Sequence, residues 1–291
     1  MFHIEYEIYF VILQKRNPSV KMKLKTVFLK FSISNFLKFN CVFLLVFSLS
    51  SCRSESKKER FKSEKIVVFA AASLQNVLGE LTAAYEEKYG VSIQVNCASS
   101  GTLARQIKQG ALPDIFLSAH KSWHGYLDSL GFVKKTPADT LAKNTLVLVA
   151  PKQSKIVPFD GAISSDLDSL LGKGRLSIGN PAYVPAGSYA KQALSHAGLY
   201  SFFEKRMLVS KDVRAALRNV ELEETPLGVV YYTDAVQSKK VKIVATFPEE
   251  SHEPIVYFQA RCTDKKVANH FYIWLQSATT ENILQAHGFQ K

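Results

Sequence analysis

The sequence predicts an α/β protein of two lobes, each a mostly parallel sheet with helices on both faces. Three observations lead there. Compact apolar runs alternate with longer stripes of helical period, the pattern of strand–helix–strand units whose strands pair in parallel. Glycine and proline punctuate those runs, as Gly90 and Pro151 do. The chain has 291 residues, enough for two cores of ordinary size.

The elements follow in order. Residues 66–70 are a compact apolar run between small residues, a buried strand. From Leu74 onward Val77, Leu78, Leu81, Tyr85 and Tyr89 recur at helical spacing, and Gly90 ends that helix. Residues 91–95 alternate as a strand, 102–109 read as helix, and 114–118 form a third strand. The run 146–150 is a strongly apolar strand that stops at Pro151. Residues 173–179 open another unit, whose helix runs from Ser188 through Ala197. Val213, Ala216, Leu217 and Val220 stripe a further helix. Strands follow at 227–231, 242–247 and 255–260, and Val267, Phe271, Trp274 and Leu275 stripe a late helix.

Five short segments each place a small polar residue or a bare backbone N–H at a helix start. They are Ala70-Ala71-Ala72-Ser73-Leu74, Ala98-Ser99-Ser100-Gly101-Thr102, Val184-Pro185-Ala186-Gly187-Ser188, Asp212-Val213-Arg214-Ala215 and Gly228-Val229-Val230-Tyr231. Helix N-termini carry unpaired N–H groups and the positive end of the dipole, so a ring of them binds an anion. Singly, each segment has a plainer reading. Ser73 and Ser100 would be helix N-caps, Val213 a core residue, Tyr231 a buried strand tyrosine, and 184–187 a turn. Arg105 and Arg214 stand just inside two of these helices and read as solvated salt-bridge partners.

The net charge of +12 is unevenly spread. Residues 1–62 hold 12 Lys/Arg against 4 Asp/Glu, while 63–291 hold 25 against 21. The body of the chain is only mildly basic, which removes the main support for nucleic-acid binding. The basic leader carries Lys21, Lys23, Lys25, Lys30 and Lys38 ahead of an apolar run at 41–47, the pattern of an export signal. Met22 is an alternative start, because residues 1–21 lack the character of a signal. Leu49-Ser50-Ser51-Cys52 resembles a bacterial lipobox, which implies lipidation at Cys52 and a leader spanning 1–52. Residues 53–64 are charged and nearly free of apolar side chains, a flexible tether. Cys97 and Cys262 are free to pair or to remain buried thiols. His120, His124, His196, His252, His270 and His287 show no metal-ligand spacing. No Gly-x-Ser-x-Gly elbow is present, and no Ser/His/Asp trio stands out for hydrolysis.

From about residue 65 to 289, the chain resembles the molybdate-binding proteins of ABC importers. The motifs that carry this are Val68-Phe69-Ala70-Ala71-Ala72-Ser73-Leu74, Ser99-Ser100-Gly101-Thr102-Leu103-Ala104-Arg105-Gln106-Ile107 and Asp114-Ile115-Phe116-Leu117-Ser118-Ala119. Gly179-Asn180-Pro181 with Val184-Pro185-Ala186-Gly187, and Pro226-Leu227-Gly228-Val229-Val230-Tyr231 with Thr233-Asp234-Ala235, follow in order. Val244-Ala245-Thr246-Phe247-Pro248 and His287-Gly288-Phe289 complete the set. The resemblance implies a two-lobed periplasmic-binding-protein fold, type II-like, with lobe one at 65–143 plus 255–291 and lobe two at 144–254. It implies an oxyanion held by Ser73, Ser100, Ala186, Val213 and Tyr231, with molybdenum present only as bound molybdate and no cofactor. It implies an extracytoplasmic monomer, periplasmic or cell-surface, that hands molybdate or tungstate to a membrane permease. A receptor for sulfate or another tetrahedral oxyanion is the alternative. Three positions depart from the family pattern: Gly101 where serine is common, Asn180 where aspartate is common, and Tyr232 where a smaller residue is usual. Tyr232 is expected to narrow the cleft mouth.

Molybdate is a tetrahedral dianion whose oxygens all accept, so its ideal host offers only donors: hydroxyls and backbone N–H groups. Phosphate carries a proton near neutral pH and needs an acceptor as well. A donor-only cage leaves that proton unsatisfied, an asymmetry worth roughly 1–3 kcal/mol.

Overall fold

The computed structural model describes residues 64–134, 139–159 and 166–291. The leader, Cys52 and all of the tether but Glu64 lie outside the described residues. The first sheet contains β1 (Lys65–Ala71), β2 (Ser92–Ala98), β3 (Ile115–Ser118), β4 (Asp139–Asn144) and β10 (Ile255–Arg261), in the order β2-β1-β3-β10-β4. The second contains β5 (Leu146–Pro151), β6 (Leu176–Gly179), β7 (Met207–Ser210), β8 (Leu227–Tyr231) and β9 (Val241–Thr246), in the order β7-β6-β8-β5-β9. The helices are α1 (Gln75–Tyr89), α2 (Ser100–Lys108), α3 (Lys121–Ser129), α4 (Asp166–Leu171), α5 (Pro185–His196), α6 (Tyr200–Phe203), α7 (Val213–Glu221), α8 (Tyr232–Gln237), α9 (Lys266–Trp274) and α10 (Ala278–Ala286).

Both sheets are mixed rather than mostly parallel. β1 pairs in parallel with β2 and β3, and β6 in parallel with β7 and β8. The antiparallel pairings all involve β10 or β5. These two strands enter their sheet from the other sheet, not over a helix, so no crossover constrains their direction. Only Thr145 separates β4 from β5, and residues 247–254 carry the chain back from β9 to β10.

Alternation along β1 sorts its side chains to two buried faces. Ile66, Val68 and Ala70 join the larger core with Leu78, Leu81 and Tyr85 of α1 and Phe271 of α9. Phe69 points the other way, to Leu103 and Ile107 of α2, Phe116 and Leu127. Tyr85 is fully buried and meets Phe271 and Trp274 edge-on, with ring centroids 4.8 and 5.2 Å away. α1 ends where Gly90 takes φ 71°, a left-handed cap that glycine adopts without strain.

Candidate functional site

The five sequence-predicted segments sit at the ends of strands that face one another across the two sheets. Ser73 lies in the short 3-10 turn Ala72–Leu74 that follows β1. Ser100 opens α2 behind Ser99, whose hydroxyl accepts from the Thr102 N–H and caps the helix. Ala186 stands in the first turn of α5, just after Pro185, which has no N–H to lose there. Val213 opens α7 behind Asp212, whose carboxylate accepts from the Ala215 N–H at 2.8 Å. Tyr231 ends β8. All five line one narrow cleft, with room of about 10 Å³ for the centre of a water-sized sphere, and Ala119, Asp212 and their immediate neighbours complete the wall.

The two serines are held from behind. Ser73 Oγ lies 2.7 Å from Tyr257 Oη, and Ser100 Oγ accepts from the Ala119 N–H at 3.1 Å. Tyr231 is 1 % exposed, and its hydroxyl meets no hydrogen-bond partner among the described residues. Burial, helped by Tyr257, Tyr189 and Asp234, raises its pKa well above the ordinary phenol value. It therefore stays protonated and can only gain by donating. Such a group costs stability unless something satisfies it.

Asp234 is fully buried in α8, three residues from Tyr231. Burial lifts its pKa to about 6, and the Arg214 guanidinium, Nε to Oδ1 2.6 Å, opposes that rise. Arg214 was expected in a solvated salt bridge; its partner is instead wholly buried. Its Nη2 also donates across the cleft to Ser73 O at 3.3 Å. The nearby carboxylates are thus occupied, Asp212 as a helix cap and Asp234 by Arg214. What the cleft offers is hydroxyls and the first turns of three helices, whose opening N–H groups have no acceptor within their own helix.

Other contacts bridge the two halves. Gly101 N–H donates to Tyr183 O at 3.1 Å, and Tyr189 Oη to Ala119 O at 3.2 Å. Arg105 stacks over the Tyr183 ring at 4.7 Å and forms no ion pair among the described residues. A serine in place of Gly101 would have no room, because a Cβ there would meet Trp123 and Tyr183 O at 2.5 Å. Gly187 is tighter still: its Cβ would meet Gly179 O at 2.0 Å. Asn180 shapes that turn, its side chain accepting from the Ala182 N–H. Tyr232 does not line the cleft. Its ring packs toward Gly288, and it is 40 % exposed. Cys97 and Cys262 are unpaired, and burial raises their pKa values to about 11 and about 12, which keeps both as thiols.

Tyr257, which reaches Ser73 from behind, and Asn144, which donates to Tyr257, carry no local motif. Only the packing of strands far apart in sequence brings them together.

Residues 66–290 match the family model described as "Bacterial extracellular solute-binding protein". The chain is 41 % identical to Molybdate-binding protein ModA of Escherichia coli over 227 residues, covering 77 % of this chain and 88 % of that protein. It is 36 % identical to the putative ABC transporter substrate-binding lipoprotein YvgL of Bacillus subtilis, covering 90 % of this chain and 99 % of that one. Among solved structures, the substrate-binding domain of a putative molybdenum ABC transporter from Clostridium difficile superposes with a TM-score of 0.59 at 29 % identity. That match covers 79 % of this chain and 99 % of that structure.

Proposed function

Because this chain belongs to the bacterial extracellular solute-binding proteins, in the branch that holds the molybdate-binding proteins, we propose that it captures molybdate, and tungstate, for an ABC importer. One observation carries the reading: a buried, protonated Tyr231 phenol without a partner among the described residues lines the same cleft as two serines and three helix starts. The oxyanion accepts hydrogen bonds from the hydroxyls of Ser73, Ser100 and Tyr231 and from the backbone N–H groups of Ala186 and Val213. Ser73 and Ser100 belong to lobe one, 65–143 plus 255–291; Ala186, Val213 and Tyr231 belong to lobe two, 144–254. The anion satisfies both sets only when the lobes come together, so it favours that arrangement.

No cationic head group is needed at the anion. Hydrogen bonds to a charged partner are worth roughly 1.5–3 kcal/mol each. Several of them offset the cost of desolvating a dianion. The hydroxyls of Ser73 and Ser100 are engaged from behind by Tyr257 Oη and the Ala119 N–H, which suits them to donate into the cleft. Cys52 anchors the protein to the membrane by lipid, and a monomer delivers its anion to the permease outside the cytoplasm.

Calorimetric titration of residues 53–291 with molybdate, tungstate, sulfate and phosphate tests the assignment. Tight molybdate and tungstate binding with weak sulfate and phosphate binding is expected. Sulfate binding as tightly as molybdate would replace this reading with that of a sulfate receptor.

A further inference from the structure

The buried hydroxyls behind Ser73 form a chain of hydrogen bonds with a fixed direction. It begins at Asn144, the last residue of β4. Its Oδ1 faces two backbone N–H groups, Thr145 at 2.9 Å and Thr233 at 3.4 Å. Backbone N–H groups only donate, so this oxygen can only accept, and the amide's orientation is set by the main chain. Asn144 Nδ2 must then donate, and it does so to Thr233 Oγ1 at 2.8 Å and Tyr257 Oη at 3.1 Å. Tyr257 is fully buried and holds a single proton. With its oxygen accepting from Asn144, the acceptor in reach for that proton is Ser73 Oγ at 2.7 Å. Were Ser73 to donate instead, the phenol proton would be left buried and unpaired. Burial also keeps Tyr257 protonated, its pKa raised far above the ordinary phenol value.

Resting on the oxyanion-binding reading above, we propose that Tyr257 is a positioning residue which, with Asn144, makes Ser73 a one-way donor toward the cleft. Ser73 accepts a hydrogen bond from behind, so its own hydroxyl hydrogen turns toward the anion. The relay thus contributes to choosing a fully deprotonated oxyanion over one carrying a proton. Asn144 and Thr233 adjoin the single-residue passage between the sheets, so the donor's orientation is tied to the place where the chain crosses.

The test is a double-mutant cycle on the full-length mature chain, with molybdate and phosphate as titrants. Tyr257→Phe and Ser73→Ala are each expected to weaken molybdate binding about tenfold or more. The pair combined should lose little beyond Ser73→Ala, because both act through one hydroxyl. Asn144→Asp keeps the shape but puts an acceptor before Tyr257. It turns the relay round and should weaken molybdate as Tyr257→Phe does, while narrowing the molybdate-over-phosphate preference. Melting curves of the ligand-free variants identify those that fold, and a cycle on folded variants decides the matter. Additive losses, or an Asn144→Asp variant with unchanged affinity and preference, would overturn the relay while leaving molybdate capture standing. A wild-type chain that binds no molybdate would instead remove the reading beneath it.

Discussion

Removing one oxygen from Tyr231 should pull stability and binding in opposite directions. The hydroxyl is buried beside Asp234 and Tyr257 with no partner among the described residues. A buried unsatisfied group of this kind costs about 1–3 kcal/mol. For a domain of this size, each kcal/mol moves the melting temperature by roughly 2–4 °C. Tyr231→Phe should therefore raise the melting temperature of the ligand-free protein by a few degrees, less the small loss from the void. With molybdate, the same change deletes a hydrogen bond to a dianion worth roughly 1.5–3 kcal/mol. At about 1.4 kcal/mol per decade, the affinity falls roughly 10- to 150-fold. Differential scanning calorimetry without ligand and isothermal titration with molybdate read the two halves. A Tyr231→Phe protein that binds molybdate within twofold of wild type would refute the reasoning, whatever its melting temperature.

Three further outcomes follow. Gly187→Ala should destabilise the start of α5, because its Cβ would meet Gly179 O at 2.0 Å; overpacking of this kind costs about 1–3 kcal/mol, read as a lower urea midpoint, and molybdate affinity should fall with it. Gly101→Ser should weaken molybdate binding and also lower the ligand-free melting temperature, because the added side chain meets Tyr183 O across the junction of the halves and Trp123 within its own half. An unchanged dissociation constant would show that the two halves need not approach this closely. Burial gives Asp234 a folded pKa of about 6, above the ordinary carboxylate value of 3.8, so between those values the folded protein holds a proton that the unfolded chain has released. Its contribution is favourable below about pH 4 and is lost as pH rises through 6. Asp234→Asn should therefore shift the slope of melting temperature against pH upward, making it less negative over that window, and an unchanged slope would argue against a raised pKa.

Much of the fold was legible because apolar runs and helical stripes survive translation into structure. The 66–70 run lies within β1, the stripe from Val77 to Tyr89 became α1, and 227–231 became β8 with identical bounds. What stayed hidden has physical reasons. β4 reads Asp-Thr-Leu-Ala-Lys-Asn, too polar to look like a strand, because it is an edge strand with one partner, β10. β7 is four residues long, and α3 begins with Ser, Trp, His and Gly soon after Lys121, poor helix formers held by tertiary contacts. The five cleft segments were visible as helix starts, but their convergence came from family resemblance and not from spacing. The Asn144–Tyr257–Ser73 relay had no sequence signal, since its outer members lie 71 positions apart and Tyr257 is 184 from Ser73. Arg214 was visible as a charge; that its partner would be a buried aspartate depended on how α7 and α8 pack.

The lone Thr145 between β4 and β5 leaves the chain no slack where it passes from one sheet to the other, whereas the return path has eight residues to spare. Side chains of a strand alternate and β5 is buried on both faces, so adding one residue at this taut junction would exchange its two buried rows and misfit both. The chain's tolerance for insertions is therefore lopsided: lengthening the return path is cheap, and lengthening the outbound one scrambles the second sheet.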